Sequence, residues 1–180
     1  MEIIREKAWN ILTEHVKEKT LLNHCLAVEG AMRAYAGKYG EDVEYWGAVG
    51  LLHDVDFEKY PEEHPGHTEE LLQPHGYSKQ FIMDIESHAR DWVPERSLLQ
   101  KVLLGVDELT GFIIACALVR PDKSIANLQV KSVMKKMKDK AFARAVNRET
   151  IVQGAAMLGI VLQEHIEFVI AALAEDFCML

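Results

Sequence analysis

The sequence predicts an all-α protein folded as a helical bundle. Two observations carry that expectation. Apolar residues recur at spacings of three and four almost from end to end, and no sustained alternating run bounded by hairpin turns is found. The first helix is expected from Glu2 to about Lys17. A second opens at Thr20 as N-cap and carries Leu21, Cys25, Val28, Met32 and Tyr35 down one stripe before Gly37 and Gly40 end it. A third starts near Asp42 and ends around His53 and Asp54. The stretch DFEKYPEEHPGH, residues 56–67, holds two prolines and a glycine and reads as an irregular loop, followed by short helices near 67–74 and 78–89. After DWVP a long helical pattern runs from Pro94 to Val119, where Gly105 and Gly111 make a break or kink unsurprising. The basic segment QVKSVMKKMKDKAFARAV reads as one or two short helices, and Asn147 caps a final helix to about Glu175.

Length and composition narrow the functional classes. A chain of 180 residues with 49% hydrophobic and 27% charged residues can bury its own core as one domain. The net charge of −8 and a pI near 5.5 repel the phosphate backbone of long nucleic acids and anionic membrane surfaces, while leaving room for a small phosphorylated ligand. Cys25, Cys116 and Cys178 are odd in number and form no CxxC, as free thiols in a reducing compartment would be. The charged N-terminal stretch lacks the apolar core and cleavage site of a signal peptide, and the charge-free TIVQGAAMLGIVLQ falls short of the roughly 18 apolar residues of a membrane span. A cytoplasmic protein without a membrane partner is expected, and homo-oligomerisation stays open.

Several polar residues sit where the pattern expects core. His24 shares a helix face with Leu21, Val28 and Ala31; His53 with Trp46, Val49 and Gly50; His88 with Phe81 and Ile85; Asp107 with Leu103, Leu104, Thr110 and Ile114. A buried carboxylate such as Asp107 costs several kcal/mol unless a positive group meets it, and its apolar neighbours supply none. A bound cation is the simplest compensation. Imidazoles and carboxylates together suit Mn, Fe, Co, Ni or Zn, and adjacent His53 and Asp54 can direct two donor types at one centre. Taken singly, each of these histidines, like His15, His75 and His165, also reads as an ordinary hydrogen-bonded residue, Asp54 as a turn cap and Asp107 as a partner for a lysine or arginine.

The order His24, then His53-Asp54, then Asp107, with the local sequences GLLHDVD and GVDELTG, resembles the HD superfamily of metal-dependent phosphohydrolases. The resemblance covers most of the chain and implies one HD domain over residues 1–180, with a C-terminal helical extension at about 122–180 packed on it. It implies one or two divalent cations (Mn, Fe, Co, Ni, Zn or Mg), held first by His24, His53, Asp54 and Asp107. His64, in the HP context of EEHPGH, and His88, in IESHARD, would complete a second metal. His67 competes with His64, and a phosphate oxygen is the alternative partner of His64 and His88 in a one-metal site. Asp56 stands where the common HDIG form has glycine, and no GYP triplet follows, so the resemblance does not extend to the branch that cleaves cyclic dinucleotides.

A divalent cation lowers the pKa of bound water from about 15.7 toward about 7, which makes a hydroxide nucleophile available at neutral pH and neutralises phosphoryl oxygens. The implied reaction is hydrolysis of a phosphomonoester or phosphodiester of a nucleotide or other small phosphorylated metabolite. Asp54 would bridge metals or orient the water, and Asp56 is the candidate general base or acid, with a solvated loop carboxylate as its alternative. Lys59 and Arg90, near the motif, are candidates for phosphate contact, whereas the lysines from Lys131 to Lys140 with Arg144 and Arg148 read first as a solvated helix face. Two further functions fit the same residues: a helical HD-type di-iron oxygenase, and a non-catalytic ligand-sensing module that keeps the metal for stability. There is no HExxH, GxSxG or GxxxxGK, and no histidine follows a glutamate at three residues, which excludes a ferritin-like site.

Overall fold

Capping residues decide where each helix begins. The computed structural model describes residues 5–89, 93 and 95–176, and it is all-helical over them. Helix α1 spans Arg5–His15. Helix α2, Lys19–Tyr39, starts one residue before Thr20 because Glu18 is the N-cap, its carboxylate accepting from Thr20 N at 3.5 Å. Gly40, and not Gly37, closes it with a left-handed φ of 72°. Asp42 caps helix α3, Val43–Leu52. Helix α4, Thr68–Leu72, runs into a 3-10 turn at Gln73–His75; helix α5, Lys79–Glu86, is capped by Ser78 and runs into a second 3-10 turn at Ser87–Ala89.

The long pattern is shorter at its start than expected and unbroken within. Helix α6 spans Leu98–Leu118, because Ser97 and Gln100 form a reciprocal capping box, and it passes through Gly105 and Gly111 without interruption. Helix α7 is Val130–Met137. The single final helix expected from Asn147 is instead two, α8 at Arg148–Met157 and α9 at Leu162–Asp176, turned 98° apart. The turn is made at Gly159, whose φ of 67° is a conformation L side chains seldom adopt. No single helix among the described residues is long and apolar enough to cross a membrane.

The helices form one body around a continuous core that includes Tyr35, Met32, Phe81, Leu103, Leu109 and Phe112, each fully or almost fully buried and worth roughly 1.5–3 kcal/mol in apolar burial. Three contacts position the site. At Gly50, where a Cβ would lie 2.8 Å from Met32 Cγ and 3.0 Å from the Val28 carbonyl oxygen, α3 lies directly on α2. Helix α5 is fixed by buried Asp84, which accepts from Tyr45 Oη at 2.8 Å, Gln80 Nε2 at 3.0 Å and Gln100 Nε2 at 2.8 Å, tying α5 to α3 and α6. Helix α8 crosses α6 at glycine on both sides, since a Cβ on Gly154 would fall 2.4 Å from Gly105 Cα. Beside that crossing, His165 of α9 is completely buried; its Nε2 donates to the Gly105 carbonyl at 2.8 Å and its Nδ1 accepts from Tyr35 Oη at 2.6 Å. Burial pushes the His165 pKa down, so it is a neutral structural group that fastens the C-terminal helices to α2 and α6.

Candidate metal centre

His24 lies in the second turn of α2, His53 and Asp54 follow the last turn of α3, and Asp107 lies midway along α6. The close α2 and α3 packing at Gly50 brings the two imidazoles together, with His24 Nε2 at 3.1 Å from His53 Nε2. Asp107 Oδ1 is 3.0 Å from His24 Nε2 and 3.5 Å from His53 Nε2, and Asp54 Oδ2 is 3.6 Å and 3.4 Å from the same two atoms. The other oxygen of Asp54 faces a second pair. Oδ1 is 3.4 Å from His64 Nε2 and 3.6 Å from His88 Nε2, and those two nitrogens are 3.0 Å apart. Six residues brought from separate parts of the chain thus point donor atoms at two adjoining positions, and the carboxylate of Asp54 lies between them. Two overlapping sets, His24 with His53 and Asp107, and His53 with Asp54 and His88, each hold their ligand atoms within 4.8 Å of one another.

The outer ring nitrogens show what the inner ones can do. His53 Nδ1 donates to the Gly50 carbonyl at 2.8 Å, His88 Nδ1 to the Ile85 carbonyl at 2.6 Å, and His64 Nδ1 to Asp56 Oδ1 at 2.6 Å. Because each Nδ1–H is donated outward, the Nε2 atoms of His64 and His88 confront each other without a shared hydrogen wherever the ring carries its one hydrogen on Nδ1. Such a contact is tolerable only with positive charge between or beside the rings. A divalent cation fits the donor set on that ground, and imidazole with carboxylate is the ligand chemistry of a transition metal.

The titration of the cluster has the same cause. Burial works against charge on His53, yet Asp54 and Asp107 outweigh it and hold its pKa well above the usual histidine value. Burial likewise works against Asp54 and Asp107, but the surrounding imidazoles hold both carboxyls well below the ordinary carboxylate range. The interior therefore requires positive charge, which protons supply when no metal does. Cys25, adjacent to His24, belongs to the core instead; burial pushes its thiol well up, as does the charge of Asp54 and Asp107.

The centre opens into a cavity of about 540 Å³. His24, Asp54, His64, His88 and Asp107 of the candidate centre form one side of it, and its other walls include Phe57, Arg96, Glu108, Val146, Thr150, Gln153 and Met157. Residues 145–157 of the C-terminal segment thus complete a chamber whose chemistry sits on α2, α3 and α6. Glu108 Oε2 accepts the Asn147 backbone N–H at 3.0 Å, joining α6 to the N-cap of α8, and burial raises the Glu108 pKa. Neither Arg96 nor the α8 residues announce themselves in the sequence, because nothing local distinguishes a pocket wall from an ordinary helix face.

Other expected site residues are placed elsewhere. Asp56 does not line the cavity: its side chain has no exposed surface, and its oxygens accept from His64 Nδ1 at 2.6 Å and from His67 N at 3.0 Å. A general base facing substrate needs a free oxygen in the cavity, which this geometry does not offer. Lys59 is on the surface, its ammonium 4.8 Å from the Tyr60 ring centroid, and it does not line the cavity. Arg90 lies outside the described residues. His67 stands apart from the centre, with its ring nitrogens 3.0 Å from Glu70 Oε2 and 2.9 Å from Glu63 Oε2 and its ring stacked on Tyr60, so His64 is the histidine of EEHPGH that reaches Asp54. In the basic segment, Arg148 donates to the carbonyls of Phe142 and Val146, and Lys136 sits over the Phe142 ring; neither lines the chamber.

In comparison with known families, the family model described as HD domain matches residues 21–120, more than half of the chain. That span begins in α2 and ends just past α6, and so contains all six residues of the centre. No curated protein and no solved structure matches the chain.

Proposed function

The chain belongs to the HD domain family, within the superfamily of metal-dependent phosphohydrolases, and from that membership and the paired donor sets we propose that it hydrolyses a phosphoester of a small metabolite or nucleotide using two divalent cations. The observation that carries the reading is the confrontation of His64 Nε2 and His88 Nε2 at 3.0 Å beside Asp54 Oδ1, with both outer nitrogens already committed as donors. In this reading His24, His53, Asp54 and Asp107 would hold one cation, and His64 and His88, with Asp54, would hold the other.

The cations would supply Lewis acidity toward a phosphoryl oxygen and acidify the attacking water. The residues of the chain do the rest. Asp54, fixed at the end of α3 with one oxygen toward His24 and His53 and the other toward His64 and His88, would orient both donor sets toward a substrate in the cavity. Arg96, on the cavity wall, is the side chain proposed for a non-bridging phosphate oxygen, the role the sequence suggested for Lys59 and Arg90. Thr150 and Gln153 offer hydroxyl and amide groups to the organic part of the substrate, and Val146 and Met157 offer apolar surface. Two free, buried cysteines, Cys25 and Cys116, support a reducing, cytoplasmic setting.

The test is metal analysis of protein prepared without chelator or metal-binding tag, paired with phosphate release from nucleotides and small phosphomonoesters with Mn, Co, Ni and Fe each supplied. Bound metal and metal-dependent phosphate release are expected. Bound metal with background release across the panel would favour a sensing module, and iron with oxygen-dependent turnover would favour an oxygenase.

A further inference from the structure

The four histidines of the centre are not held alike. His53 and His88 each donate a hydrogen bond from Nδ1–H to the backbone carbonyl three residues earlier, at the end of the helix before them. His64 lies on the loop between α3 and α4, and its acceptor is a side chain, the carboxylate of Asp56 at 2.6 Å. The loop is wound to make this contact. Tyr60 N donates to the Asp56 carbonyl and His64 N to the Tyr60 carbonyl, both at 2.9 Å, so residues 56, 60 and 64 stack one above another at helical spacing. The second oxygen of Asp56 accepts from His67 N at 3.0 Å, which closes the loop around the carboxylate. Nothing in the cavity is within its use, and the side chain is wholly buried.

We infer that Asp56 is the positioning residue of the second metal position: it accepts the hydrogen bond from His64 Nδ1–H, so that Nε2 is left as the bare ligand atom beside Asp54, and thereby sets the affinity for one cation of the two. The inference rests on the two-metal reading above. It also accounts for the motif, since His53-Asp54 with Asp56 and His64 form one unit in which Asp54 is spent on the cations and Asp56 on orienting a ligand. Carboxylates that hold a ligand imidazole from behind are typically worth about 10–100-fold in metal affinity.

The experiment compares the full-length protein with Asp56→Asn by equilibrium dialysis against Mn(II) and Co(II), with ring nitrogen NMR of the metal-free proteins. Wild type is expected to take two cations, and its His64 to show the proton on Nδ1. Asp56→Asn is expected to keep the first cation at unchanged affinity, to bind the second at least about 10-fold more weakly, and to show the His64 proton shifted toward Nε2. Two cations at wild-type affinity in Asp56→Asn, or equal weakening of both, would overturn the inference. So would a wild-type His64 protonated on Nε2, a measurement that needs no variant. Wild type taking a single cation would contradict the two-metal reading, and the ring nitrogen signature would still decide whether Asp56 orients His64.

Discussion

The two halves of the candidate metal centre are built from different material. His24, His53 and Asp107 come from the second turn of α2, the end of α3 and the middle of α6, three helices packed into the main core. His64 and His88 come from a loop and a 3-10 turn, and their geometry depends on particular hydrogen bonds, the one His64 donates to Asp56 and those Asp84 accepts in seating α5. Packed helices fix a donor through many small contacts, whereas a loop fixes it through a few directed ones. The comparison teaches that the first position should resist substitution of its surroundings and the second should not.

The largest effect is expected where the halves meet. Asp54→Ala removes the one carboxylate that serves both positions, and His53→Ala removes the most deeply buried ligand; each should abolish bound metal by elemental analysis, and full stoichiometry in both would break the account. His88→Ala should be milder, losing one cation and retaining the other. Loss of both in His88→Ala would erase the distinction between the halves.

An intermediate effect separates the centre from the C-terminal wall. Gly154→Ala places a Cβ 2.4 Å from Gly105 Cα, and α8 must move to accept it. Overpacking of this kind costs about 1–3 kcal/mol, and a chain of this length loses roughly 2–4 °C in melting temperature per kcal/mol. Metal stoichiometry should be unchanged while phosphate release falls, because α8 lines the chamber without touching the donor set.

The stability of the metal-free protein and the gain on adding metal should change with pH in opposite directions. The folded pKa of His53 lies above its unfolded value of about 6.5, so the stability it contributes is complete below that pH and is lost as pH rises through the folded value. The folded pKa values of Asp54 and Asp107 lie below about 3.9, so their contribution is present above that pH and is lost only as pH falls through the folded values. Metal-free protein should therefore melt at a falling temperature as pH rises above neutrality. Metal competes with the His53 proton, so the gain in melting temperature on adding Mn(II) should grow over the same range. A gain independent of pH would place the cation away from His53. The smallest effect is expected for Lys135→Ala and Lys138→Ala, which lie outside the chamber and should change stability by no more than about 0.5 kcal/mol and leave turnover alone.

Legibility followed the same divide. Helix starts at Asp42, Ser78 and Asn147 were readable because side-chain caps are local chemistry, and the positions of His24, His53, Asp54 and Asp107 were readable because inward-facing polar residues disturb an apolar period. Gly105 misled in one direction and Gly159 in the other. The first suggested a break but is a packing position against Gly154, and the second passed for a helical residue but makes the turn between α8 and α9. Only tertiary contact distinguishes the two. The wall residues Arg96, Thr150 and Gln153 were illegible for the same reason, and Asp56 was visible as a polar residue near the motif while the direction of its side chain was not.

The central claim is that two cations share the carboxylate of Asp54. Anomalous scattering from crystals of the Mn(II)-loaded protein tests it most directly. The account predicts two peaks, one within bonding distance of His24, His53, Asp107 and one oxygen of Asp54, the other of His64, His88 and the remaining oxygen. A map with no peak beside Asp54, or with His64 and His88 both turned away from metal, would contradict it.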